Sequence, residues 1–120
     1  MYDVSRQGPH LLITFGPTID RATLLAAIDA VMARPDYPHS NDIWVLGDAV
    51  IFISHEDFEA ITGAIEDAYP ASAIRTRTAL VTSSGFNTVI ASMWCEEAKR
   101  LPFQVRVFDT VEAAEDWVRR

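Results

Sequence analysis

A single α/β domain built on a mixed sheet is the fold class this sequence predicts. Three observations carry that prediction. The 120 residues are one domain's worth of chain, and 49% are apolar, enough for a core without a disulfide or metal staple. Segments with strand-type apolar runs alternate with segments of helical spacing. Proline and glycine fall singly or in pairs between them, with no repeat, low-complexity tract or linker to divide residues 1–120. The order is β-β-α-β-α-β-α-β-α. Alternation of this kind implies parallel pairing with helices packed on the sheet, and an opening hairpin adds one antiparallel pair.

Tyr2 to Gln7 is the first strand, Gly8-Pro9 a turn, and His10 to Phe15 the second strand. After Gly16-Pro17, Thr18 is placed to cap a helix with Asp20 in its first turn. Leu24, Leu25, Ile28, Val31 and Met32 form the apolar stripe of that helix, and Pro35 stops it. Residues 35–41 read as a loop. Ile43 to Leu46 is an apolar run of the kind covered on both faces. Gly47-Asp48 breaks it. Ala49 to Ile53 reads as an extended connector, the alternative being the return strand of a hairpin.

Ser54 caps the next helix, His55 to Tyr69, with Phe58, Ile61, Ile65 and Ala68 inward and Pro70 as its close. Arg75 to Thr82 begins polar and ends apolar, as a strand entering a core does. Ser83-Ser84-Gly85 opens a helix running to about Arg100, its apolar face formed by Phe86, Val89, Ile90, Met93, Trp94 and Leu101. Phe103 to Phe108 alternates as a strand. Asp109 with Glu112 resembles a capping box for the last helix, held down by Ala113, Ala114, Trp117 and Val118.

Charge narrows the function classes. Ten basic residues against 17 acidic ones give a net charge of -7. A nucleic acid or an anionic membrane surface is repelled by that balance, and no basic run makes an exception. One cysteine, Cys95, permits no internal disulfide. The N-terminus lacks the layout of a signal peptide, and no apolar stretch is long enough to span a membrane. The expectation is a cytoplasmic protein.

The strongest candidate site is Ser83, Ser84 and Gly85, where a strand ends and a helix begins. Free backbone N–H groups there favour an anion or phosphate. The plainer reading is a serine cap followed by a small residue. The string has neither the lysine of a phosphate-binding loop nor the flanking glycines of a nucleophile elbow. His55-Glu56-Asp57-Phe58-Glu59 begins like a zinc-protease helix, but Glu59 stands where the second histidine belongs. No metal site and no cofactor follow from it. His10, His39 and His55 occupy three segments, and His39 with Asp36 and Asp42 nearby is either an acid–base group or a solvated turn. Cys95 reads as a half-buried, inert thiol. Trp44, Trp94 and Trp117 either line a pocket or cover the sheet. Arg75, Arg77 and Arg106 either grip an acidic partner or pair within the domain.

The chain resembles the SpoIIAA-like group of small bacterial proteins, related in fold to STAS domains and to CRAL-TRIO lipid carriers. The residues that carry the resemblance are Phe15-Gly16-Pro17-Thr18-Ile19-Asp20, Ile43-Trp44 and Ala79-Leu80-Val81 before a Ser/Gly helix start. The closing Val107-Phe108-Asp109-Thr110 with Glu112-Ala113-Ala114 and Trp117-Val118 adds to them. The resemblance implies a SpoIIAA/STAS-like mixed sheet. For anti-sigma-factor antagonists it implies a switch in which a serine at a helix start is phosphorylated and partner binding is lost. Ser83-Ser84-Gly85 looks like the family's Asp-Ser-Ser-Gly site, although Thr82 stands in place of the aspartate and the string falls one βα unit later. Ser54 is the serine nearest the expected unit.

Three functional readings follow, in this order. The first is a non-enzymatic regulatory or protein-binding module, with Ser83, Ser84 and Ser54 as candidate phosphorylation sites and a homodimer compatible with the role. The second is a carrier of a small apolar ligand or lipid, which requires an apolar cavity. The third is a serine hydrolase using Ser83 or Ser84 with His39 or His55, for which no third orienting group can be named.

Overall fold

The computed structural model describes residues 1–37, 39–68 and 76–120. Among these residues, seven strands and four helices follow one another as β1 (Tyr2–Gln7), β2 (His10–Phe15), β3 (Thr18–Asp20), α1 (Arg21–Met32), β4 (Asn41–Gly47), β5 (Val50–Phe52), α2 (His55–Ala68), β6 (Arg77–Thr82), α3 (Gly85–Glu97), β7 (Gln104–Phe108) and α4 (Val111–Val118). A single 3₁₀ turn, Ala98–Arg100, extends α3. The helix end expected at Tyr69-Pro70, the strand start expected at Arg75 and Pro38 of the loop lie outside the described residues.

The main sheet has five strands in the order β1-β2-β4-β6-β7. β1 and β2 pair antiparallel, and every later neighbour is parallel. Gly8 turns the opening hairpin with φ +63, a value glycine reaches without a Cβ penalty.

Side chains alternate across this sheet, so neighbouring residues serve different cores. Leu11, Ile13, Trp44 and Leu80 face a layer that includes Ala27, Ile28 and Val31 of α1, Ile61 and Ile65 of α2, and Ala91 of α3. Ile43, Ala79 and Val81 face the other way, onto Ala114, Trp117 and Val118 of α4. Ile43 and Ala79 are fully buried, as strands covered on both sides require.

Three boundary expectations are corrected. Ala49 to Ile53 is neither a plain connector nor a return strand on β4. Its centre, β5, pairs in parallel with β3, a strand absent from the expected order, and the two form a separate two-stranded sheet. The extended segments before α1 and α2 thereby satisfy backbone groups that would otherwise go unpaired. Asp20, not Thr18, caps α1, its carboxylate accepting from the Thr23 N–H at 2.8 Å. Thr18 belongs to β3. Likewise Thr110, rather than Asp109, caps α4 by accepting from the Ala113 N–H.

The fourth correction concerns α3. Its inward residues are Asn87 and Ala91, with Ile90 and Trp94 half-buried, whereas Phe86, Val89 and Met93 point outward. At 100° per residue the helix carries two apolar stripes about 120° apart. The one with the small Ala91 and the bonded Asn87 packs closer to the sheet.

Candidate functional site

Ser83-Ser84-Gly85 lies at the carboxyl end of β6, where α3 begins. Ser84 is extended, and its Oγ accepts from the Asn87 N–H at 3.1 Å. This occupies the hydroxyl as the helix cap, the plainer of its two roles. Ser83 is exposed, and its N–H donates to the Gly47 carbonyl at 2.9 Å. Thr88 donates its hydroxyl to the Ser84 carbonyl. Beneath them, Asn87 is 2% exposed and its amide donates to the carbonyls of Gly47 and Ala49 at 3.1 and 2.8 Å. Gly47 adopts φ +58 to make that turn. One asparagine therefore ties the first turn of α3 to the loop that leads into β5. Nothing in the sequence marks Asn87 for this role, since an asparagine in a helix carries no motif.

Ser54 likewise serves a helix end. Its Oγ accepts from the Asp57 N–H at 3.1 Å while its own N–H donates to the Asp57 carboxylate at 3.0 Å. That reciprocal box holds the Asp57 carboxyl below the usual carboxylate range, mainly through the backbone bond from Ser54.

From this corner an apolar surface extends. Phe86 is 71% exposed, Val89 59% and Met93 50%, all on the outer stripe of α3. Val50 and Phe52 of β5 are also more than half exposed. Side chains of this size, left in water along one helix face, are the form an interaction surface takes.

A second feature lies inside. An apolar cavity of about 70 Å³ sits between the sheet and α1, α2 and α3, lined by Ile28, Ile65, Leu80 and Trp44 among others. Polar side chains line it as well, among them Asp42, Thr78 and Trp94. Asp42 is 4% exposed, its Oδ1 has no hydrogen-bond partner, and neither has the buried Trp94 Nε1. Burial pushes the Asp42 carboxyl up to about 6, against the opposite pull of the Thr78 and Trp44 side chains. In the sequence Asp42 stands out only as a neighbour of His39. The strand register places its side chain on the helical face beside Thr78 of β6.

The remaining candidates disperse. Asp36 does not serve His39, because its carboxylate is held by Arg34 and Arg6, each at 2.9 Å. His39 precedes the amino end of β4, opposite the carboxyl-end turn that carries Ser83 and Ser84. His10 is buried with its Nε2 3.9 Å from a Glu115 carboxylate oxygen, and burial lowers its pKa. His55 pairs with Glu59 at 3.2 Å, and Glu97 of α3 brings a third possible ligand atom within 4.8 Å of both. Arg100 already holds Glu97 at 3.2 Å, and the cluster is largely exposed, so ion pairing accounts for it.

Cys95 is half-buried, and burial, with Glu96 beside it, pushes its thiol up to about 11. Trp44 stacks with Phe15 at 6.2 Å and lines the cavity with Trp94, while Trp117 packs on the opposite face against Phe108. Arg77 and Arg106 both lie over the Trp117 ring at 5.5 Å. They serve the domain's own packing, and Arg75 lies outside the described residues.

No helix among the described residues is long and apolar enough to cross a membrane. Comparison of the chain with protein-family models, curated proteins and solved structures finds no match.

Proposed function

We propose that this domain is a regulatory, protein-binding module that receives a partner on the outer stripe of α3. The observation that carries the reading is the exposure of Phe86, Val89 and Met93 along a single helix face. The partner is a protein with an apolar surface bordered by basic side chains, since the chain's net charge of -7 favours that complement. Ser83 is exposed at the head of the same helix, so a phosphate there adds about two negative charges at the margin of the surface. The anti-sigma-factor-antagonist version of this role rests on the SpoIIAA-like resemblance.

A photo-crosslinking residue at Val89, introduced in the cells that make the protein, tests the reading. A discrete cross-linked protein is expected, together with at least tenfold weaker binding of that protein, once purified, to a Phe86→Ser variant that keeps its thermal midpoint. Cross-linking only to a second copy makes the surface a homodimer interface. Equal binding to the wild type and the variant removes α3 from the role.

A second reading, binding of a small apolar ligand, is favoured by the cavity. Its volume of about 70 Å³ lies well below the roughly 300 Å³ at which ligand pockets for drug-sized molecules begin. Size therefore favours a molecule of a few atoms over a lipid.

A further inference from the structure

The cavity under α1, α2 and α3 has a chemical preference of its own. Among the described residues four buried side-chain atoms lack hydrogen-bond partners, and two of them, Asp42 Oδ1 and Trp94 Nε1, belong to residues lining this one space. A buried polar atom left unpaired costs about 1–3 kcal/mol, so a site that collects two of them gains by admitting something that pairs with both. The surrounding wall, with Ile28, Ile65 and Leu80, is apolar.

We infer that this cavity binds a small neutral molecule with an apolar body and one hydroxyl group, the hydroxyl donating to Asp42 and accepting from Trp94. The inference rests on the second reading above and specifies its ligand.

Charge and hydrogen-bonding capacity select the hydroxyl. The indole N–H only donates, and the ionised carboxylate only accepts. An ammonium satisfies Asp42 but leaves Trp94 unpaired, and it loses its hydration in an apolar space. A carboxylate ligand satisfies Trp94 and is repelled by Asp42. A hydrocarbon satisfies neither. A hydroxyl donates and accepts at once. Water does the same at the polar end, but it leaves the apolar wall of Ile28, Ile65 and Leu80 without the contacts an alkyl chain makes.

Size sets the rest. The space of about 70 Å³ is about half of the ~150 Å³ apolar cavity that admits benzene. A two-carbon alcohol, ethanol, matches it.

The test uses the whole chain, ethanol and xenon, read by the Trp94 indole N–H resonance and the methyl resonances of Ile28, Ile65 and Leu80. Xenon reports an open apolar space whatever the polar groups do. In the wild type, ethanol is expected to shift both the indole and the methyl signals. Asp42→Leu is expected to weaken ethanol binding at least fivefold while the xenon response persists, and Asp42→Asn, which keeps an acceptor, to stay within threefold of wild type. Trp94→Phe, read by the methyl signals, supplies the same comparison should Asp42→Leu not fold. If xenon moves the methyl signals but ethanol leaves the indole signal still, or binds Asp42→Leu as it binds wild type, the hydroxyl assignment is wrong and the cavity reading stands. If neither probe moves any signal, the cavity reading itself falls.

Discussion

The Arg77 guanidinium donates to the Trp117 carbonyl at 2.7 Å while lying 5.5 Å over the same residue's ring. Trp117 is in the last turn of α4, so the arginine meets the helix at its negative end and covers its largest buried side chain. Asn41 completes the joint: its amide donates to the Val118 carbonyl, and its Oδ1 accepts from the Arg77 N–H at 2.8 Å. Among the described residues, one face of the sheet is closed by this eight-residue helix. Too short to be stable alone, it depends on such docking. Arg77→Ala is expected to cost about 2 kcal/mol, since a charged hydrogen bond and a cation–π contact are lost together. Arg77→Lys should recover less than half, for want of the planar fork. Urea unfolding of the three proteins measures this, and a loss under 0.5 kcal/mol for the alanine variant would show that α4 is held by its apolar residues alone.

Ser83 and Ser84 separate by the same kind of measurement. Ser84 Oγ caps α3 through the Asn87 N–H, so Ser84→Ala is expected to destabilise by about 1 kcal/mol. Ser83 is exposed and contributes through its backbone, so Ser83→Ala should change stability by less than about 0.3 kcal/mol. A kinase acting on Ser84 has to open the cap first, whereas Ser83 presents its hydroxyl directly. Equal losses for the two variants would contradict this division.

Much of this fold was legible because apolar periodicity reports burial directly. Ile43, Trp44 and Val45 announce a strand covered on both faces, and Trp117 with Val118 a helix packed down. Caps were less legible. Thr18 and Asp20 are both good capping residues, and the choice between them depends on β3, whose partner β5 lies 32 residues along the chain. On α3, Phe86, Val89 and Met93 look like core residues to any count of apolar spacing. They are outside because Asn87 finds two carbonyl acceptors on the Gly47–Ala49 turn, a long-range pairing that no local pattern encodes. The cavity's Asp42 and Trp94 were hidden for a similar reason. They come from β4 and α3, and only the fold brings both to the lining of one space.

Cys95 gives a chemical check on the packing of α3. Its thiol, pushed up to about 11 from 9.0 by burial and by Glu96, holds about a hundredfold less thiolate at neutral pH than a free thiol. Iodoacetamide at pH 7.5 is therefore expected to label the native protein at least a hundredfold more slowly than the same protein in urea, as followed by intact mass. Labelling at comparable rates would mean that α3 leaves the sheet in solution.

Asp42 makes stability depend on pH in the direction opposite to ordinary acid denaturation. Its carboxyl titrates near 3.8 when unfolded and at about 6 when folded. Between those values the folded chain keeps a proton that the unfolded chain has released, so stability falls as pH rises through the window. The favourable contribution is complete below pH 3.8 and is lost above about 6, a difference on the order of 3 kcal/mol for a fully buried group. Lowered groups such as Asp20, Asp36 and Asp57 act in the reverse sense, losing stability as pH falls, and His10, whose pKa is also lowered, does the same. Those groups are common to the wild type and an Asp42→Asn variant, so they cancel in the comparison. Relative to the wild type, the variant is expected to gain about 2 kcal/mol between pH 4 and pH 7, measured by urea unfolding at each pH. A constant difference across that range would mean that Asp42 reaches water in the folded protein.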